Sequence, residues 1–107
     1  MNTIKHSFEE FSWRSRLFLN SQILIRLLSF IAEYKKKKDE DTLVKVFLYA
    51  HFLDEKYSEG MYPEMREHIQ ELLYLEGEIK KKTIDPGKDK HIVGYVIDRT
   101  IWHFTGE

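Results

Sequence analysis

Two histidine–glutamate pairs have the residue types and spacing of a metal site. His51 and Glu55 are four residues apart, and so are Glu64 and His68. On a helix this spacing places both members of a pair on one face. Two His and two carboxylates from facing helices are ligands that bundles use for Zn, Mn or Fe. These four residues are therefore the candidate Zn or Mn site. The simpler interpretation is that each His forms a hydrogen bond with a nearby Glu.

Two lysine runs, 35–38 and 80–82, are the second group with a candidate chemistry. Lysines in a last helical turn face the negative end of the helix dipole, and Asp39, Glu40 and Asp41 would face the positive end of the next helix. That structural role needs no ligand, and we take it as the first interpretation. The alternative is nucleic-acid binding through phosphate contacts. Its candidate residues are Lys35, Lys36, Lys37, Lys38, Lys80, Lys81 and Lys82.

Two features of the sequence weigh against nucleic-acid binding by these lysines. The formal net charge of the chain is −1, so there is no overall attraction to phosphate. Bases stack on aromatic side chains, and no aromatic residue is interleaved with the lysines.

Aromatic residues make up 14% of the chain, which is more than a core of this size usually buries. Aromatic side chains that stay exposed often anchor a protein partner. The candidates for such an interface are Trp13, Tyr57, Tyr62, Tyr74, Tyr95 and Trp102.

No sequence motif indicates catalysis. The chain has no cysteine, which excludes disulfides and thiolate chemistry, and its five glycines never cluster into a phosphate-binding loop. We therefore expect a protein that is not an enzyme and that has no cofactor, unless the Zn or Mn site is occupied. Asn and Gln occur only at positions 2, 20, 22 and 70, which suggests a heat-adapted source.

The most apolar segment, residues 17–31, is too short and too polar to span a bilayer, since it contains Asn20, Gln22 and Arg26. Glu9 and Glu10 stand where a signal peptide would carry positive charge. We expect a single cytoplasmic domain over residues 1–107 with no membrane contact.

Hydrophobic spacing predicts helices over the first half of the chain. Ser7 to Glu10 fits a capping box, and apolar residues then recur at steps of three and four, which predicts helix 1 over 8–36. Residues 11–19 also alternate as a strand would, in which case Asn20 or Ser21 would cap a shorter helix. Helix 2, over 43–53, is apolar on nearly all sides, so both of its faces must be covered or one is an interface.

Turn residues divide the second half. Gly60 followed by Pro63 predicts a hairpin over 58–62, and helix 3 then presents one apolar face from Met65 to Ile79 before it ends in lysines. Asp85-Pro86-Gly87 predicts a turn with positive φ at Gly87. Residues 91–104 fit a helix that stops near Gly106, or a strand.

Together these elements predict an all-α fold, an antiparallel four-helix bundle of two αα-hairpins. The alternative is an α+β fold, with three helices and a small sheet from residues 11–19 and 91–104. The functional prediction is a small helical protein-interaction module that binds itself, as a homodimer, and an unidentified protein. A nucleic-acid binder and a metal-dependent helical enzyme are the alternatives.

Overall fold

A computed structural model describes residues 18–106, with the side chains of 22–59 and 61–106. The chain forms four α-helices: α1 (Phe18–Lys37), α2 (Glu40–Tyr57), α3 (Pro63–Lys80) and α4 (Lys90–Thr105). A short 3₁₀ turn, Ser58–Gly60, lies between α2 and α3. No strand occurs among the described residues. None of the helices within 18–106 is both long and apolar enough to cross a membrane.

The helices pack as an antiparallel four-helix bundle. Each helix contacts the next one along the chain, and α4 returns to contact α1. Short connections between successive helices produce this up-down-up-down order. The predicted all-α bundle of two αα-hairpins is confirmed.

The core is built from one apolar face of each helix. Side chains recur at three- and four-residue steps, as burial of one helical stripe requires. The apolar residues that are entirely enclosed are Leu27 and Ile31 of α1, Val46, Ala50 and Leu53 of α2, Ile69 and Leu72 of α3, and Val93 of α4.

The helix ends use the predicted residues. Asp39 is the N-cap of α2, and its carboxylate accepts a hydrogen bond from the Thr42 hydroxyl at 2.6 Å. That bond lowers the pKa of Asp39. Pro63 lies in the first turn of α3, where its missing N–H has no helical acceptor to lose. Gly106 ends α4 in the left-handed region, at φ 77°.

Several predictions were wrong in detail. Residues 91–104 lie in α4, so the sheet alternative fails there. Asn20 and Ser21 lie inside α1 and do not cap it. Gly87 does not have positive φ. The Asp85 carboxylate accepts a hydrogen bond from the Gly87 N–H at 2.8 Å, and this bond closes the turn. Among the non-glycine residues, positive φ occurs instead at Lys38, directly after α1, and at Lys82, two residues after the end of α3.

Both ends of helix 2 differ from the prediction, and the predicted start of helix 1 cannot be compared. Helix 2 is longer at both ends than the predicted 43–53, because polar first and last turns have no apolar periodicity to mark them. The predicted start of helix 1 at residue 8, its capping box and most of the alternative strand 11–19 lie outside the described residues.

Candidate functional site

The outer face of α2 carries a row of exposed apolar side chains. Val44, Leu48 and Phe52 are spaced four apart and are 62%, 46% and 37% exposed. The opposite face of the same helix supplies Leu43, Val46, Phe47, Ala50 and Leu53 to the core. The bundle therefore covers one side of this helix and leaves an apolar stripe on the other. We call Val44, Leu48 and Phe52 the α2 stripe.

Aromatic packing fixes the shape of one edge of the α2 stripe. The ring centroid of Tyr49 lies 5.3 Å from that of Phe30 and 5.4 Å from that of Phe52. The Lys45 ammonium lies 5.5 Å from the Phe30 centroid. These contacts hold Phe52 in place beside a half-buried aromatic pair, so the stripe is a preformed surface.

Charged residues lie at the two ends of α2. Asp41 is in its first turn and Lys56 in its last. Both are exposed, and neither forms an ion pair with another residue of the described chain. The first turn of α2 is therefore acidic, and the last turn carries both signs, since the exposed Glu55 lies beside Lys56.

The metal-site prediction placed each His opposite the glutamate of the other pair, across the hairpin. The structure places a different carboxylate closest to each His. His51 Nε2 lies 2.7 Å from Glu76 Oε1 of α3, and His51 Nδ1 lies 3.7 Å from Glu55. His68 Nδ1 lies 3.1 Å from Glu71 Oε1. Within residues 18–106 no group of three or more His, Asp or Glu side chains is arranged to hold a metal. Zn or Mn binding at His51, Glu55, Glu64 and His68 stays a prediction.

His68 belongs to a second cluster that the sequence did not indicate. Its ring stacks on that of His103 with centroids 4.2 Å apart. Burial lowers the pKa of His103, and the neighbouring His68 lowers it further, while Glu64 and Glu67 oppose both. Glu71 connects this pair to α4, because its Oε2 accepts a bond from Arg99 at 3.2 Å.

The antiparallel order of the helices places both lysine runs at the same end of the bundle, where α1 and α3 end and α4 begins. Lys35 lies 3.1 Å from Asp98 of α4, and Lys37 lies 3.4 Å from Glu33. Lys80 and Lys81 each pair with a glutamate of α3, at 3.5 Å in both cases. Such exposed pairs contribute little to stability, about 0–1 kcal/mol each. They leave Lys36, Lys38 and Lys82 without an ion pair among the described residues.

The predicted interface aromatics divide into two groups. Tyr57 and Tyr62 are half-buried against the core. Tyr74, Tyr95 and Trp102 are 70%, 63% and 62% exposed. Trp13 lies outside the described residues. An interface made of all of these residues stays a prediction.

Several of these contacts could not be found in the sequence because they join distant helices. His51 and Glu76 are 25 residues apart, and Arg99 and Glu71 are 28. For the pair of Arg99 and Glu71, the only available signal was the spacing of Tyr95, Arg99 and Trp102, which puts these three residues on one side of a helix.

Comparison with protein families, curated proteins and solved structures finds no match to this chain. The surfaces of the chain itself are therefore the basis for assigning a function. Among them the α2 stripe combines three exposed apolar side chains at a regular four-residue spacing on one helix.

Proposed function

We propose that the protein is a non-enzymatic helical interaction module that self-associates through the α2 stripe. The observation that carries this proposal is the exposure of Val44, Leu48 and Phe52 on a helix whose other face is buried. Burial of a large apolar side chain releases about 1.5–3 kcal/mol. A second copy of the same stripe offers an apolar surface of matching length.

The regular spacing supports a two-fold symmetric contact. In a homodimer the same patch on both copies meets itself. If two α2 helices run antiparallel with Leu48 at the symmetry axis, Val44 of one copy faces Phe52 of the other. A small apolar residue then meets a large one at both ends, so the contact has no gap.

The proposed location is the cytoplasm. A small domain there must fold without disulfides. This chain contains no cysteine, and an apolar core from all four helices supplies its stability.

Sedimentation equilibrium of the full chain and of Leu48→Glu tests the proposal. The wild type should associate to a dimer as its concentration rises through the micromolar range. Leu48→Glu should stay a monomer, because it would bury two carboxylates against each other at the symmetry axis. The matched control is Ile25→Glu, since Ile25 is a similarly exposed apolar residue, 54%, on α1.

The control should dimerise as the wild type does, and circular dichroism should show both variants folded. A wild type that stays monomeric, or a dimer that Leu48→Glu does not weaken more than Ile25→Glu, would refute self-association through the α2 stripe.

A further inference from the structure

A cleft of about 530 Å³ lies along the outer side of α4, away from the α2 stripe. Tyr95, Arg99 and Trp102 line it from α4, with Lys35 from α1 and His68 from α3. The volume is within the range of sites that enclose a small molecule, about 300–1,000 Å³. We call it the α4 cleft.

Two aromatic rings in the α4 cleft are largely exposed to solvent. Tyr95 and Trp102 are seven residues apart, so they lie two turns apart on one side of the helix, and each is more than three-fifths exposed. Arg99 lies between them, with its guanidinium carbon 5.5 Å from the Tyr95 centroid. Exposed rings beside an arginine form a surface on which a flat aromatic ligand can stack.

A smaller hollow of about 110 Å³ adjoins the α4 cleft and shares Lys35 and Asp98 with it. Lys38, Lys90 and Gly94 also line this hollow. Its volume corresponds to roughly four water molecules at about 30 Å³ each, which is enough for an anion such as phosphate.

Cations dominate this joined surface. Lys35, Lys38, Lys90 and Arg99 face a single carboxylate of the lining, Asp98. Asp98 is paired with Lys35 at 3.1 Å, while Lys38 and Lys90 form no ion pair with another described residue. Arg99 contacts Glu71 through one nitrogen and keeps further N–H donors for a ligand.

We propose that the α4 cleft binds a nucleotide unit. The base stacks on Tyr95 or Trp102, and the phosphate lies in the small hollow at Lys35, Lys38 and Lys90. The ligand chemistry, an aromatic base joined to a phosphate, comes either from a free nucleotide or from single-stranded nucleic acid.

The fold removes the main argument that the sequence raised against such binding. No aromatic residue is interleaved with the lysine runs, but the antiparallel packing of α1 and α4 brings Tyr95 and Trp102 to the surface that Lys35 shares. Stacking and phosphate contact are the two terms that give single-stranded nucleic-acid sites their affinity.

Gly94 keeps the phosphate end of this surface open. A glycine inside a helix costs stability relative to alanine. A Cβ at Gly94 would meet no atom within 4 Å, so packing does not require a glycine here. Any larger side chain would project into the small hollow. Gly94→Glu should therefore fold normally and place a carboxylate among the lysines.

Gly77 provides a matched control for that variant. It also lies inside a helix, α3, and a Cβ there also meets nothing within 4 Å. Gly77→Glu adds the same charge outside the cleft. Tyr74, an exposed aromatic of α3 outside the α4 cleft, likewise controls for Trp102.

The test is isothermal titration of the full chain with ADP and, separately, with a short oligouridylate, at low and at physiological salt. Wild type should bind at least one of the two, with an affinity that falls as salt rises. At least one of Tyr95→Leu and Trp102→Leu should weaken binding about tenfold or more, because the ring on which the base stacks is lost. Gly94→Glu should weaken it by a similar factor, and the two controls should leave it unchanged.

The two ligands distinguish the sources. Binding of ADP identifies a free-nucleotide site, and binding of the oligouridylate alone identifies a single-strand site. Failure of both ligands to bind overturns the proposal. Binding that Tyr95→Leu, Trp102→Leu and Gly94→Glu all weaken no more than Tyr74→Leu and Gly77→Glu also overturns it. These results do not depend on the oligomeric state, because the α4 cleft and the α2 stripe share no residue.

Discussion

Leu53→Ala and Leu48→Ala make the same chemical change on opposite faces of α2. Leu53 is entirely buried and Leu48 is 46% exposed. Both lie within a helix that is apolar on nearly all sides, so the sequence alone gives no reason to expect different outcomes. The structure of the bundle does give a reason, because only one face of α2 contacts the core.

The expected losses of stability differ several-fold. Leu53→Ala loses the transfer free energy of a buried side chain and leaves a cavity, about 3–4 kcal/mol. The whole domain is stabilised by roughly 5–15 kcal/mol, so this is a large share of the total. Leu48 has only about half of its surface to expose, so Leu48→Ala in the monomer should cost about 1 kcal/mol.

Urea unfolding followed by circular dichroism, at a protein concentration low enough to keep the chain monomeric, measures both losses. The midpoint for Leu53→Ala should fall far below that for Leu48→Ala, with little change in slope. Equal losses, or a larger loss for Leu48→Ala, would refute the assigned orientation of α2.

Three further outcomes are expected. Because burial lowers the pKa of His103, the unfolded chain binds a proton there more readily, so stability should fall as pH drops below the ordinary histidine value of 6.5. In His103→Gln, thermal unfolding at pH 5 and pH 8 should differ less than in wild type; an unchanged difference contradicts this origin. Lys82→Gly should raise the unfolding temperature, because φ 65° strains a residue with a Cβ, and Lys81→Gly, where φ is −78°, should lower it. If both changes lower it, the strain argument is wrong. Glu76→Gln should lower the unfolding temperature more than Glu59→Gln, since it removes the carboxylate 2.7 Å from His51 Nε2 on the facing helix, and equal effects would contradict a role for this contact in stability.

The helices were predictable because their evidence is local. Pro63 and Asp39 mark helix starts by their own backbone chemistry, and the apolar steps of α3 predict its buried face. The stop of α4 at Gly106 followed from the same kind of signal.

The surfaces were less predictable because they depend on how each helix is rotated about its axis. In α2, apolar residues on all sides hid which face is buried, so Val44, Leu48 and Phe52 could not be separated from core residues. The aromatic partner of the lysine end comes from α4, about 60 residues further along the chain. Positive φ occurs at Lys38 and Lys82 because the chain turns away from a helix there, although lysine does not favour positive φ.

Cysteine cross-linking tests self-association through the α2 stripe most directly, because the natural chain has no cysteine to interfere. In an antiparallel pair Leu48→Cys lies at the symmetry axis, where two cysteines come within the Cα separation that a disulfide requires, about 4.4–6.8 Å. Under mild oxidation Leu48→Cys should give a covalent dimer, and so should a mixture of Val44→Cys with Phe52→Cys. If neither forms more covalent dimer than Ile25→Cys, the proposed interface is contradicted.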